Sequence, residues 1–264
     1  MASKEAQEYL AQVKAYQEAA IGAAGAAPTL EEMRAGSIAV LETVGTMPDG
    51  VSIEEVDVDG MTALWCRPKG APADSVVLYF HGGGYVLQSA QSHRKLTSHL
   101  AVQGNRNVLS VNYRLAPEHP HPAAIEDAMR AYKWLLAKGY AASRIAVSGD
   151  SMNSKAGVDL MVQRHALQLM ASMFVAGGSF EDPLAAPLHG DFSGVAPLYI
   201  QVGGDETLLD DSTRIATKAA HAGVPVRLEV FPEMQHVFQA AVGMIPEATD
   251  AVAKAGAWLR EILA

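Results

Sequence analysis

A serine, an acidic pair and a histidine occur in this order along the chain, each just after a segment typical of a buried strand. They are Ser151, the pair Asp205-Glu206, and His236. A serine hydroxyl becomes a nucleophile when a histidine takes its proton, and a carboxylate can hold that histidine in the required orientation. The three residue types therefore predict nucleophilic hydrolysis at Ser151, with His236 as the base and either carboxylate as its partner.

A glycine-rich turn after an earlier strand predicts the complementary part of such a site. The apolar run at 76–80 leads directly into His81-Gly82-Gly83-Gly84. Three glycines let the backbone turn tightly and direct its N–H groups at one point. That geometry stabilises the negative oxygen that develops during acyl transfer. A plain glycine-rich loop is the alternative, and the preceding strand and histidine favour the functional interpretation.

The turn around Ser151 matches only half of the expected pattern. Gly149-Asp150-Ser151 follows the run at 144–148, as in the strand-to-helix turn Gly-x-Ser-x-Gly, where small residues are needed on both sides of a strained serine. Two residues after Ser151 the chain has Asn153 instead of glycine. Asparagine tolerates unusual backbone angles but carries a side chain where close packing requires none. As a tripeptide alone, Gly-Asp-Ser is common in loops.

Short apolar runs that alternate with helical stretches indicate how these turns are positioned. Runs without polar alternation are typical of strands buried on both faces of a parallel sheet. We expect such strands at 76–80, 107–111, 144–148, 197–202 and 226–230, and helices at 91–103, 122–138, 210–222 and 247–262. This order predicts a doubly wound α/β sheet, whose ligand crevice lies beyond the carboxyl ends of its strands.

The remaining elements are predicted from local signals. Alternating segments at 51–58 and 61–67, joined by Asp59-Gly60, indicate a hairpin. Residues 1–45 resemble two helices, the second beginning at Pro28-Thr29. The predicted helix caps are Ser92, Asp210 and Asp211.

Composition limits the classes of function. Of 264 residues, 49% are hydrophobic and 19% are charged, which is typical of one large globular domain. The net charge of −9, without a basic stripe, argues against nucleic acid as a partner. Cys66 is the only cysteine, and we expect neither a metal nor an organic cofactor. With no apolar run of signal-peptide or membrane-spanning length, we expect a cytoplasmic protein without a membrane partner.

The motifs taken together resemble the hormone-sensitive-lipase-like (bacterial family IV) esterases of the α/β-hydrolase superfamily over nearly the whole chain. The matching segments are His81–Gly84, Asn112-Tyr113-Arg114-Leu115-Ala116-Pro117-Glu118-His119-Pro120, Gly149–Ser151, Asp205–Asp211 and His236. The resemblance implies an α/β-hydrolase fold with a mostly parallel central sheet, flanking helices and a small helical cap. It implies cap helices at 1–45, a core at 46–157 and 177–264, and a cap helix at 158–176.

The resemblance also assigns roles. Ser151 would be the nucleophile, His236 the base, and Glu206, rather than Asp205, the acid. The backbone N–H groups of Gly83, Gly84 and Met152 would hold the oxyanion. The expected activity is hydrolysis of short- to medium-chain acyl esters, and a small-molecule ester is the expected partner.

One departure from the family leaves three interpretations open. Members have a helix and a strand after the serine, about 30 residues by the size of such a unit, and here Ser151 leads almost at once into a segment like the cap helix. Either the protein truly lacks the unit, or the sequence omits residues that the protein contains, or 156–170 and 171–176 form the helix and strand themselves. Loss of a central strand would expose core faces, which favours the second interpretation.

Further expectations also stay open. Met161, Leu167, Met170, Met173 and Phe174 either line an acyl pocket or are ordinary core residues. The family often dimerises through its last strand and helix, here 226–230 and 247–262, so a homodimer is expected from the resemblance.

A non-catalytic ligand-binding protein is the alternative function, because related receptors lack the histidine; this chain keeps His236. An amide hydrolase with the same three residues is the other alternative.

Overall fold

The computed structural model describes residues 2–23, 28–151 and 164–264. Within these ranges the strands are β1 (Val51–Val58), β2 (Met61–Pro68), β3 (Val76–Phe80), β4 (Asn107–Val111), β5 (Ile145–Gly149), β6 (Leu198–Gly203) and β7 (Val226–Phe231). The α-helices are α1 (Lys4–Ala23), α2 (Leu30–Thr43), α3 (Arg94–Gly104), α4 (Ala123–Ala137), α5 (Arg164–Val175), α6 (Leu209–His221) and α7 (Pro246–Ile262). Short 3-10 helices cover Ala142–Arg144, Pro187–His189 and Phe238–Ala241. The predicted strands are confirmed to within about a residue.

The strands form a mixed, mostly parallel arrangement. β1 and β2 form the predicted antiparallel hairpin, and β2 also pairs antiparallel with β4. β3 lies between β4 and β5 and is parallel to both, so the order of this sheet is β1-β2-β4-β3-β5. β6 and β7 form a separate parallel pair. The carboxyl ends of β3 and β5 therefore lie at one edge of the larger sheet.

The central strand β3 shows why its segment reads as a continuous apolar run. Successive side chains of a strand point to opposite faces. Val76 and Leu78 pack in one buried cluster with α4, whereas Val77 and Tyr79 pack in another with α3 and α7. Helices thus cover both faces of the sheet, and every side chain from Val76 to Tyr79 is buried.

Helices α2 and α5 pack over the turns that follow β3 and β4. Met170 and Phe174 of α5 join a third cluster with Val86 and Tyr113. In α2, Arg34 donates to the Val86 and Ala116 carbonyl oxygens and pairs with Glu118. Thr29 forms the capping box that starts α2, as its sequence indicates. The proposed division into cap and core stays a prediction.

Two predicted helix starts are wrong. α3 follows His93 and not Ser92, because the Ser92 hydroxyl donates to the Ser89 carbonyl in the preceding turn. α6 follows Leu208, so Asp210 and Asp211 lie in its first turn, where carboxylates favour the positive end of a helix without capping it.

The segment after Ser151 bears on one of the three open interpretations. Residues 171–175 lie in helix α5, so the idea that 171–176 form the missing strand is wrong. The cap helix expected at 158–176 is helical from Arg164 to Val175, and its earlier residues lie outside the described ranges. β5 pairs with β3 along one edge, and Val147 at its middle is 62% exposed.

Across the described ranges, no helix has the length and apolarity needed to cross a bilayer.

Candidate active site

Ser151 sits directly beyond β5 in a strained backbone conformation. Its φ of 62° is in the left-handed region, which costs a non-glycine residue about 1–3 kcal/mol. Such strain recurs where a strand turns sharply to present a nucleophile. Ser151 lines a cavity of about 580 Å³, and His236 and Glu206 line the same cavity.

Three side chains predicted from separate parts of the sequence form one hydrogen-bonded row. The Ser151 Oγ lies 2.8 Å from the His236 Nε2. On the other side of the ring, the His236 Nδ1 lies 2.6 Å from the Glu206 Oε2. The His236 and Glu206 side chains are only 10% and 6% exposed. The ring is therefore held between a hydroxyl and a shielded carboxylate.

Glycine at position 203 permits the turns after β6 and β7 to meet. The two strands are parallel, so the loops at their carboxyl ends leave from the same edge. A Cβ atom on Gly203 would lie 2.2 Å from the Met234 carbonyl oxygen, which no side chain allows. Gly203 also donates its N–H to the Glu206 Oε1. This close approach aligns Glu206 with His236.

The structure separates the two acidic candidates. Glu206 contacts the histidine, whereas the Asp205 side chain is exposed and its backbone N–H donates to the Met234 carbonyl oxygen at 3.0 Å. Glu206 is therefore the carboxylate that can orient His236.

The glycine turn after β3 lies against Ser151. Gly83 and Gly84 have φ values of 106° and 61°, and Gly84 borders the cavity. The Gly82 N–H donates to the Asp150 Oδ1 at 3.0 Å and is not available to a substrate. Gly83 and Gly84 remain as the predicted oxyanion donors, while Met152 lies outside the described residues.

His81 and Tyr113 fix this turn from beneath. Their rings stack with centroids 4.3 Å apart, and the Tyr113 hydroxyl donates to the His81 carbonyl oxygen at 2.6 Å. Burial, and to a smaller extent repulsion from His93, lowers the pKa of His81 to about 4, so His81 is neutral near pH 7. Its role is to support the turn.

Two residues that the sequence did not single out, His93 (buried) and Asp150 (side chain 12% exposed), complete the site. Asp150 accepts hydrogen bonds from the Tyr79 hydroxyl at 2.6 Å and from the Gly82 N–H, and it forms an ion pair with His93 at 3.2 Å. Burial alone would raise the pKa of Asp150, but the charge and hydrogen bond of His93 outweigh it and lower that pKa to about 2. The only signal in the sequence was an acidic residue next to the serine, and His93 is one of nine histidines.

Helix α5 contributes the apolar wall beside the glycine turn. Phe174 stacks on Tyr85 with centroids 4.1 Å apart. A Cβ atom added to Gly84 would lie 3.0 Å from the Met170 Sδ, so Met170 sits directly against the turn. Leu167 and Met173 are partly buried against the same cluster, and Met161 lies outside the described residues. The cavity also extends between β5 and β6, where Val147 and Ile200 line it.

We expect Gly83→Ala to lower kcat for an ester by about 10²-fold, the usual cost of losing one oxyanion donor. The new Cβ would lie 2.3 Å from the Leu87 carbonyl oxygen, so the turn must move. Gly139→Ala is the matched control, because Gly139 also has a positive φ of 95° and its Cβ would meet nothing within 4 Å. Steady-state kinetics of both variants check this. Equal kcat values in the two would contradict it.

Comparisons with known proteins identify the family. A family described as alpha/beta hydrolase fold matches residues 77–154 and 152–240, two segments that meet just after Ser151. An acetyl-hydrolase from Streptomyces hygroscopicus is 36% identical over 244 residues, covering 78% of this chain and 81% of the relative. The predicted α/β-hydrolase fold is thereby confirmed.

Solved structures agree with this assignment. An esterase from the bacterial hormone-sensitive lipase family superposes with a TM-score of 0.90 at 33% identity, over 100% of both chains. The esterase EstE5, in a crystal soaked with p-nitrophenyl butyrate, superposes with a TM-score of 0.89 at 30% identity, over 99% of both chains. The resemblance predicted from the motifs is confirmed: the chain belongs to the hormone-sensitive-lipase-like family of carboxylic ester hydrolases in the α/β-hydrolase superfamily.

Proposed function

We propose that this chain hydrolyses short- to medium-chain acyl esters through an acyl-enzyme on Ser151. The observation that carries the proposal is the hydrogen-bonded row from the Ser151 Oγ through His236 to Glu206, with distances of 2.8 and 2.6 Å. A nucleophile, a base within reach of it, and a third group that orients the base are the parts that acyl transfer requires.

In the first half-reaction the Ser151 oxygen attacks the acyl carbon while its proton passes to the His236 Nε2. The carbonyl oxygen becomes an oxyanion, which the Gly83 and Gly84 N–H groups stabilise together with that of Met152. Glu206 accepts from the Nδ1–H and stabilises the imidazolium. His236 then gives its proton to the leaving alkoxide, and the C–O bond breaks to leave an ester on Ser151.

In the second half-reaction water repeats the sequence. His236 takes a proton from water, the hydroxide attacks the acyl-enzyme, and a second oxyanion forms in the same place. Its collapse breaks the bond to the Ser151 oxygen, which recovers its proton from His236, and the carboxylic acid leaves. The residues of the row therefore return to their starting protonation states, so no cofactor is needed.

The position of α5 supports a short to medium acyl chain. Met170 lies directly against Gly84, and the stacked pair Tyr85 and Phe174 belongs to the same apolar cluster. Bulky apolar side chains beside the oxyanion turn favour a short to medium acyl group there. One relative is an acetyl-hydrolase, and the related esterase EstE5 was soaked with p-nitrophenyl butyrate; both are consistent with small acyl groups.

Other expectations stay predictions. Dimerisation would use β7 and α7, the last strand and helix. The absence of nucleic-acid and membrane partners, and a cytoplasmic location, follow only from charge and hydropathy in the sequence.

The test is covalent labelling with diethyl p-nitrophenyl phosphate, which phosphorylates an activated serine. We expect stoichiometric release of p-nitrophenol and a diethyl phosphate adduct on the peptide that contains Ser151, with no adduct in Ser151→Ala. The rate of p-nitrophenyl acetate hydrolysis should decrease in proportion to the fraction of the protein that is labelled. Comparing turnover of p-nitrophenyl acetate with that of p-nitroacetanilide separates an esterase from an amide hydrolase.

Each result has a clear meaning. An adduct at Ser151 together with ester turnover supports the proposal. A folded chain that is not labelled, hydrolyses no ester and still binds small esters is instead a binding protein, the alternative that the altered turn after Ser151 favours. Faster turnover of the anilide than of the ester would point to amide hydrolysis.

A further inference from the structure

We propose that Asp150 is a positioning residue that fastens the oxyanion turn to the serine turn, and that a positively charged His93 is its partner. This inference rests on the proposed function. It concerns residues that neither attack the substrate nor transfer its protons.

The carboxylate of Asp150 joins three parts of the fold. Its Oδ1 accepts from the Tyr79 hydroxyl of β3 at 2.6 Å and from the Gly82 N–H of the glycine turn at 3.0 Å. Its Oδ2 lies 3.2 Å from the Nε2 of His93, which directly precedes α3. Because Asp150 is the neighbour of Ser151, these bonds fix the distance between the glycine turn and the serine oxygen.

The partners of His93 determine its charge. The Nε2 faces a carboxylate, and the Nδ1 lies 3.2 Å from the Ser89 carbonyl oxygen. Neither oxygen can donate a proton, so both ring nitrogens must carry one. The hydroxyl of Ser92, 3.1 Å from the Nδ1, already donates to the same carbonyl oxygen. With the Ser92 proton engaged there, the imidazolium form of His93 is the one that donates to both oxygens, and its side chain is only 3% exposed.

The surroundings agree with this assignment. Burial acts to lower the pKa of His93, but the charge and hydrogen bond of Asp150 outweigh it and raise that pKa. The titratable side chains around His93 are Asp150, His81, Tyr79 and, beyond Thr97, Cys66. The pKa of His81 is lowered to about 4, while burial raises the pKa values of Tyr79 and Cys66. Of the two histidines in this group, His93 is the one whose pKa is raised, so it is the one that keeps its proton to higher pH.

The ion pair has a consequence for catalysis. A lone carboxylate beside Ser151 would repel the oxyanion that forms there. With His93 protonated the pair is neutral overall, so Asp150 can hold the Gly82 N–H without opposing that charge. As pH rises through the raised pKa of His93, the imidazolium loses its proton. The pair then becomes negative, and the one remaining ring proton stays on the Nε2 that faces Asp150, so the Nδ1 can no longer donate to the Ser89 carbonyl oxygen.

The experiment compares two replacements of Asp150 in the full chain. In Asp150→Asn, the amide oxygen accepts from Tyr79 and Gly82, and the amide NH₂ donates to the Nε2 of a neutral His93, so every bond survives without charge. In Asp150→Ala all the bonds are lost. We expect kcat per active site to fall by about 10²-fold or more in Asp150→Ala with little change in KM, because a misplaced oxyanion turn affects the transition state. Asp150→Asn should stay within about tenfold of the wild type.

The pH profile provides a readout that a merely structural role would not change. We expect kcat of the wild type to fall at alkaline pH as His93 deprotonates, and kcat of Asp150→Asn to stay flat there. Asp127→Ala is the matched control: Asp127 is a buried carboxylate, 1% exposed, that binds Arg114 and Arg130 away from Ser151. It should lower Tm and leave kcat per active site unchanged.

Sites are counted by the burst of p-nitrophenol from diethyl p-nitrophenyl phosphate. A wild type that gives no burst refutes the proposed function. A labelled, active wild type whose kcat is within about threefold of that of Asp150→Ala overturns the positioning role. Identical alkaline profiles in the wild type and Asp150→Asn overturn the charged state of His93.

Discussion

Ser151→Ala and His236→Ala should each lower kcat for p-nitrophenyl acetate by at least about 10⁴-fold, because each removes one half of a single proton transfer. The Ser151 Oγ and His236 Nε2 are 2.8 Å apart, so the proton can pass directly between them, and each variant removes one end of this transfer. Stopped assays with a buffer blank measure what remains. That remainder should come from the backbone amides of the glycine turn.

The double variant tests whether the two residues act as a unit. If they do, Ser151→Ala combined with His236→Ala costs no more than either change alone, since the second loses an interaction already absent. Ser148→Ala is the control, because Ser148 borders the same cavity from β5, three residues before Ser151. It should stay within about threefold of the wild type. Additive losses, or a Ser148→Ala variant as damaged as Ser151→Ala, would remove Ser151 and His236 from the mechanism.

Local sequence predicted most of the scaffold because hydrophobic runs and turns are local features. The run at 76–80 is apolar on both faces, since helices cover both, and this pattern is typical of a buried parallel strand. The glycine turn, Ser151, the acidic pair and His236 each directly follow a predicted strand. Because the carboxyl ends of parallel strands lie at one edge of a sheet, these segments could be predicted to lie close together. Choosing between Asp205 and Glu206 required the family resemblance, because the two residues are adjacent and equally acidic.

What the sequence left unpredicted depends on contacts between distant residues. Asp150 and His93 are 57 positions apart, and nothing in their own neighbourhoods indicates an ion pair. Ser92 is a good helix cap by residue type, but a bond within the preceding turn engages it. The strands are divided into two sheets because β5 and β6 do not pair with each other, and the local sequence of either strand does not predict which strand it pairs with.

The acid offers the sharpest test of the row of three residues. We expect Glu206→Gln to lower kcat by about 10⁴-fold, the cost of holding the base in the wrong tautomer. The Gly203 N–H donates to the Glu206 Oε1, so a glutamine at this position must keep its oxygen there. Its NH₂ group then faces the His236 Nδ1, which must accept instead of donate. The remaining ring proton moves to the Nε2, and that nitrogen can no longer take the proton of Ser151.

Asp205→Asn is the matched control, because it removes one carboxylate from the adjacent position. The Asp205 side chain is exposed, and the bond from Asp205 to Met234 comes from its backbone N–H, which asparagine keeps, so kcat should stay within about threefold of the wild type. Steady-state kinetics at pH 7 to 8, with Tm recorded for both variants, measure the contrast. If Asp205→Asn loses activity while Glu206→Gln keeps it, the loop must rearrange in solution so that Asp205 reaches His236. A loss confined to Glu206→Gln means that a single carboxylate, aimed by one glycine N–H, decides which nitrogen of His236 is free to act as the base.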